Sequence, residues 1–323
     1  MSANLSQVYD GSAMSFRSGF AAIVGLPNVG KSTLVNRLVG QKVAIVSPRP
    51  QTTRNRIQGI INLPQAQIVL IDTPGVHRPD SALGRQMMEE VAQALEGIDV
   101  LVVMLDATDN IGRAEEYVFQ RAQNFHGPKI LLLNKVDRVD KPKLLPMIDQ
   151  CSRKAEFAEI IPISARTGSG CPRLVDALVK QLPEGQPYFP PEQVTDQPER
   201  FLAAEIVREK VIANTRHEVP HAVAVFVERF EEKPDLLRIH AVVHVERDAQ
   251  KGILIGRGGE KMKKIGTEAR LELEEILGIK IFLALVVHVQ RNWRDDPVKV
   301  RQLDWRRQLQ ELSGQSPSEG EEQ

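Results

Sequence analysis

Cysteine is nearly missing from this chain of 323 residues, with Cys151 and Cys171 its two thiols. They supply neither a disulfide framework nor a paired metal site, and they fit a reducing compartment. Aromatic residues make up only 5%. No apolar run approaches the ~20 residues needed to span a bilayer. The first twenty residues hold one arginine, one aspartate and no apolar segment of signal-peptide length, so they read as a floppy extension. An excess of one charge is also lacking: 42 basic and 42 acidic residues cancel. This balance argues against wholesale non-specific nucleic-acid binding. Charge is uneven only locally. Basic clusters such as "GRGGEKMKK" and "DWRR" fall between Lys251 and Arg307, and the end, "SPSEGEEQ", is acidic.

What is present is patterned. From Phe20 to about Leu182, short apolar runs ("FAAIVG", "AQIVLID", "DVLVVMLDA", "KILLLNKVD", "EIIPISA") alternate with helical patterns. Continuous apolar strands between amphipathic helices predict an α/β domain with a mostly parallel sheet covered on both faces. The segment "QGIINLPQAQIVLID" has two strand-like runs joined by a short turn, which predicts one antiparallel strand pair. Residues 183–198 contain five prolines and read as a linker. An α-β-β-α-α-β order with a last helix from about Pro297 follows. The expected division is an N-terminal extension (1–17), a nucleotide-binding domain (18–182), the linker (183–198), an α+β domain with a C-terminal helix (199–312) and a disordered acidic tail (313–323).

Four motifs in the first domain each fall at a strand end. "GLPNVGKST" comprises Gly25, Leu26, Pro27, Asn28, Val29, Gly30, Lys31, Ser32 and Thr33. Placed between a strand and a helix, it reads as a P-loop. Its backbone N–H groups surround phosphate oxygens, Lys31 reaches the outer phosphates and the Ser32 hydroxyl can hold Mg²⁺. Asp72-Thr73-Pro74-Gly75 offers a carboxylate to Mg²⁺ through water and a Gly75 N–H to a γ-phosphate. Asn134-Lys135-Val136-Asp137 reads guanine: Asp137 accepts from N1–H and the exocyclic amine, a pair adenine cannot offer. Asn134 would brace the loops and Lys135 would cover the base. Ser164-Ala165-Arg166 would direct a backbone N–H at guanine O6. Between these lies "RPQTTRNR", where Thr53, in preference to Thr52, is expected to complete the Mg²⁺ shell. The order of motifs along one sheet edge predicts GTP or GDP as ligand.

Two further features need weighing. Val76 stands where many GTPases place a glutamine that orients the attacking water, and valine can neither donate nor accept a hydrogen bond. "HEVPH", His217 to His221, matches a zinc-protease pattern, but Pro220 breaks the helix that this chemistry requires. In the second domain, Gly256-Arg257-Gly258-Gly259 is a G-x-x-G loop between two helices. It would let single-stranded RNA approach closely, with Arg257, Lys261 and Lys264 on phosphates and Ile253 and Ile255 in an apolar wall.

With "QTTRNRI", "DTPGVH" and "RNWRDD" added to these motifs, the chain resembles the bacterial Era GTPases from about Phe16 to Leu312. The resemblance implies a GTP-hydrolysing switch whose C-terminal KH domain binds the 3′ end of small-subunit ribosomal RNA during ribosome maturation. It implies a cytoplasmic location, partly at the inner membrane face, and a monomer is expected. It also implies a group of GTPases with an apolar residue for the catalytic glutamine, several of which use potassium with a P-loop asparagine. Asn28 is then expected to hold K⁺, or else simply to form the turn. The rival readings are a membrane-associated, nucleotide-responsive scaffold without essential catalysis and a GTP-dependent partner in RNA modification.

Overall fold

A computed structural model describes residues 15–307. Residues 1–14 and 308–323 lie outside the described residues, and with them most of the expected extension and the acidic tail. Six strands form one sheet: β1 (Arg17–Val24), β2 (Ile57–Leu63), β3 (Ala66–Asp72), β4 (Val100–Asp106), β5 (Lys129–Asn134) and β6 (Glu159–Pro162). Their order is β2-β3-β1-β4-β5-β6, parallel throughout except for the antiparallel β2–β3 pair.

The sheet is buried on both faces because its central strands are almost continuously apolar, as in β4, where six of seven residues are apolar and buried. Along β4, Val100, Val102 and Met104 face a core shared with α1 (Lys31–Val39) and α5 (Cys171–Gln181). Leu101, Val103 and Leu105 face the opposite core, with α2 (Ala82–Ala94), α3 (Arg113–Gln123) and α4 (Lys141–Ser152). This two-residue alternation under continuous apolarity is the signature of a doubly covered parallel sheet. Strand order reverses about β1, so the carboxyl ends of β1, β3 and β5 open onto one crevice.

Residues 183–198 run along the sheet edge. Ile60 N–H donates to Val194 O at 2.9 Å, and the Gln67 carbonyl oxygen accepts from the Tyr188 and Phe189 N–H groups. Beyond them come α6 (Glu199–Ala213), β7 (Ala224–Lys233), β8 (Leu236–Val245), α7 (Asp248–Ile255), α8 (Glu260–Leu277), β9 (Ile281–Val289) and α9 (Pro297–Arg301). β7 and β8 are antiparallel and β8 and β9 parallel. Leu237, Ile239, Ala241, Val243 and Val245 alternate along β8 into a core with the helices. The "HEVPH" stretch is not a continuous helix: it has a left-handed residue at His217 (φ 57°) and a 3-10 turn at Val219–His221. Among the described residues, no cluster of three or more His, Cys, Asp or Glu side chains is placed to hold a metal, and no helix is long and apolar enough to cross a membrane.

The two units dock through a further apolar cluster. Ala82, Leu83 and Met87 of α2 meet Ala224, Trp293, Val300 and Leu303. Trp293 is 2% exposed, and its indole N–H donates to Ala222 O at 2.9 Å. Truncating a buried tryptophan costs ~3–5 kcal/mol through lost burial and the remaining cavity. Trp293→Ala should lose about that much in urea unfolding; a loss under about 1 kcal/mol would remove Trp293 from the docking core.

Candidate nucleotide site and nucleic-acid interface

The P-loop leaves β1 at Gly25 and enters α1 at Lys31. Asn28 and Gly30 take positive φ, 65° and 107°. A Cβ at Gly30 would lie 2.3 Å from the Asn134 amide nitrogen, so both backbone conformation and space exclude larger residues there. Lys31 is buried, with its ammonium donating to Gly25 O at 3.1 Å and Leu26 O at 3.0 Å. Burial pushes its pKa down to about 8, with Asp72 acting in the opposite direction. A phosphate arriving here would meet a lysine already turned back over the loop.

Asp72 ends β3 and is fully buried. Its Oδ2 accepts from Ser32 Oγ at 2.6 Å and lies 3.5 Å from Thr53 Oγ1, while the two hydroxyl oxygens are 2.9 Å apart. Asp72 Oδ1 has no hydrogen-bond partner among the described residues. Burial pushes its carboxyl up to about 6, against the influence of Lys31, Ser32 and Thr53. A buried carboxylate oxygen without a partner is costly, and two hydroxyls and a carboxylate are hard oxygen donors. Together these residues fit a small divalent cation such as Mg²⁺.

A cavity of about 560 Å³ extends from this cluster to the loops after β5 and β6, a size suited to a small-molecule ligand. Its lining includes Thr33 and Gly75, along with Lys135, Asp137, Ala165 and Arg166. Asn134 joins the two ends: its amide nitrogen donates to Val29 O at 2.7 Å and its oxygen accepts from Ala165 N–H at 2.9 Å. The Ala165 N–H is therefore engaged by Asn134. Asp137 accepts from Ser164 Oγ and from the Arg166 guanidinium, each at 2.6 Å. The Ser164 hydrogen bond, helped by Arg166, holds the Asp137 carboxyl below its ordinary range and so ionised. Arg166 is a feature sequence reasoning assigned no side-chain role; with its side chain 75% exposed, it can swing aside for a base. Lys135, at φ 68°, is ion-paired with Asp106.

Val76 faces away from this chemistry. It is fully buried in the core with Val24, Val91 and Leu101, and its N–H donates to Gly25 O at 3.0 Å. The Asn28 amide donates to Pro48 O at 3.0 Å, tying the P-loop to the segment before Thr53.

The second cleft lies on the other unit. The G-x-x-G loop joins α7 to α8, with Gly256, Gly258 and Gly259 all at positive φ. Beside it is a cavity of about 610 Å³ whose apolar wall includes Ile255, Met262, Leu283, Leu285 and Val286, with Lys251, Lys263 and Arg270 also lining it. Gly259 lines this cleft; Ile253, Gly256, Arg257, Gly258, Lys261 and Lys264 stand outside its lining. Ile253 is 41% exposed, and Lys264 lies 3.7 Å from Glu268. Lys263, Thr267 and Arg270 recur at helical spacing along α8, a signal that projecting the helix would have shown.

A profile of 50S ribosome-binding GTPases matches residues 20–135, and a KH-domain profile matches residues 218–294. A solved structure of Era in complex with MgGDPNP and nucleotides 1506–1542 of 16S ribosomal RNA is 43% identical, with TM-score 0.86, covering 90% of this chain and 99% of that one. The chain belongs to the Era family. A second Era structure, an Aquifex aeolicus variant bound to GDP and AlF₄⁻, matches with the same identity, coverage and TM-score. The Era-family assignment covers both clefts, since each match spans nearly the whole of the solved chain.

Each hydrogen bond to a charged group is worth ~1.5–3 kcal/mol, so the Asp137 pair should dominate base choice. Asp137→Asn replaces one acceptor with a donor, which opposes guanine but matches the C2 carbonyl of xanthine. Calorimetry should show GDP binding weakened about 100-fold or more and xanthosine diphosphate binding gained. Unchanged GDP affinity would remove Asp137 from base recognition.

Proposed function

We propose that this chain is a GTP-hydrolysing switch that holds the 3′ end of small-subunit ribosomal RNA in its KH domain and acts in small-subunit assembly. The observation that carries this reading is the joint presence, on one chain, of the P-loop cavity and the G-x-x-G cleft, in a relationship to an Era whose solved complex contains both MgGDPNP and 16S ribosomal RNA. We assign nucleotide chemistry to residues 18–182 and RNA binding to 199–312, joined by 183–198.

In the nucleotide site, the backbone N–H groups of the Gly25–Thr33 loop, in which Pro27 offers none, and the Lys31 ammonium would hold the phosphates. Ser32 and Thr53 would hold Mg²⁺ directly and Asp72 would do so through water. When bound, Mg²⁺ offsets the negative charge that gathers on the β- and γ-phosphate oxygens during transfer. Asn134, Lys135, Asp137, Ser164 and Ala165 shape the guanine end. The Gly75 N–H would meet the γ-phosphate, and Val76 contributes its backbone and core packing rather than a catalytic side chain. Asn28 is the residue to which we assign K⁺, where a monovalent cation would serve the role an arginine finger serves elsewhere. Single-turnover hydrolysis at equal ionic strength should be faster in K⁺ than in Na⁺, and equal rates would remove that assignment. We place the protein in the cytoplasm, with any contact at the inner membrane face peripheral; fractionation tests this.

RNA binding is tested with a short single strand copying the ribosomal 3′ end. Gly258 sits at φ 59°, so Gly258→Asp strains the loop and puts a carboxylate where phosphates approach. Affinity should fall at least about 10-fold, since the loop loses close approach and gains repulsion. GDP affinity should not change. Full RNA affinity in that variant would place the RNA elsewhere.

A further inference from the structure

The segment carrying Thr53, which lines the nucleotide cavity, is also held by the KH unit. Arg208, on α6, is 2% exposed, and its guanidinium donates to the Thr52 carbonyl. Glu205, one turn earlier, orients that guanidinium with two hydrogen bonds of 2.7 and 2.6 Å. On the other flank, Arg54 is buried and donates to Val223 O at 2.7 Å, with its guanidinium 5.4 Å from the Trp293 ring centre. Upstream, Val46 N–H donates to Glu209 Oε1 at 2.9 Å. Thr53 is thus bracketed, through both neighbouring residues, by groups of the second unit, while its hydroxyl lies 2.9 Å from Ser32 Oγ.

We propose that Arg208 is a positioning residue for the GTPase reaction: by fixing the Thr52–Thr53 peptide, the RNA-binding unit presets the hydroxyl that completes the Mg²⁺ shell. This rests on the GTPase reading above. Stability alone does not account for Arg208. Burying an ion pair gains little over an apolar side chain of similar volume, and Arg208 Nη1 has no hydrogen-bond partner among the described residues. What an apolar residue could not supply is the donor to Thr52 O. A loop segment left to itself would spend its time in many conformations, and binding would have to order it. With Arg208 in place, that ordering is already present in the folded chain.

Thr53 matters only when a γ-phosphate and Mg²⁺ are engaged together, so the expected signature is selective. In the full chain, Arg208→Ala should leave GDP affinity within about twofold. It should raise the Mg²⁺ concentration for half-maximal binding of a non-hydrolysable GTP analogue by about 10-fold, the worth of one charge-assisted hydrogen bond. Single-turnover hydrolysis at saturating GTP should fall by a similar factor, with KM moving less than kcat at high Mg²⁺. Arg208→Lys, which keeps a cationic donor, should recover part of both. Glu205→Gln loosens the guanidinium without removing it and should shift the Mg²⁺ dependence in the same direction, which keeps the test open if the alanine variant fails to fold. Equal losses for GDP and the GTP analogue, an unchanged Mg²⁺ dependence, or a lysine variant no better than alanine would each overturn the proposal. Failure of the unsubstituted chain to bind GDP at all would instead overturn the GTPase reading itself.

Discussion

The chain from Lys42 to Arg56 is held on both sides, and this constraint organises the molecule. On one side Thr53 meets Ser32 and the buried Asp72. On the other, Lys42 pairs with Glu209 at 2.6 Å and with Glu272, while Thr52, Arg54 and Asn55 are bonded to Arg208, Val223 and Leu303. A segment this thin cannot move at one contact without disturbing the other. The nucleotide cavity and the KH unit therefore share a wall rather than communicating across a distance.

That shared wall gives physical content to the idea of a switch. A ligand shifts a conformational equilibrium only by its differential affinity for the two states. Nucleotide carrying a γ-phosphate, together with Mg²⁺, would favour the arrangement in which Thr53 faces Ser32. RNA would act through α8, which lines the RNA cleft and carries Glu272 to Lys42. Both ligands thus bear on one segment, and reciprocity requires that each alter the other's affinity by the same factor. The cluster of Trp293, Met87, Val300 and Leu303 adds a second, apolar joint through α2, so the docking is not electrostatic alone.

Much of the site could be read in the sequence because P-loop and guanine motifs are local. Each is a few residues at a strand end, and strand ends are legible from apolar runs. The antiparallel β2–β3 pair followed from a turn too short for a crossover helix, and the G-x-x-G loop does lie between two helices, α7 and α8. What could not be read were contacts between distant segments. Thr52 and Arg208 are 156 residues apart, and Arg54 and Val223 are 169 apart. Nor could the sequence show that Arg166 would cap Asp137 or that Val76 would turn wholly into the core. Side-chain direction in a loop depends on what packs against it, and proline-rich residues 183–198 lie along the sheet edge because Ile60 of β2 and Gln67 of β3 offer them partners.

The most direct test is hydrogen exchange across residues 42–56 of the full chain, bound to a non-hydrolysable GTP analogue and Mg²⁺, with and without single-stranded RNA copying the ribosomal 3′ end. The account predicts that RNA alters exchange in 42–56 as well as in the cleft around 251–270, since both belong to one connected wall. Protection of the cleft with no change in 42–56 would contradict it.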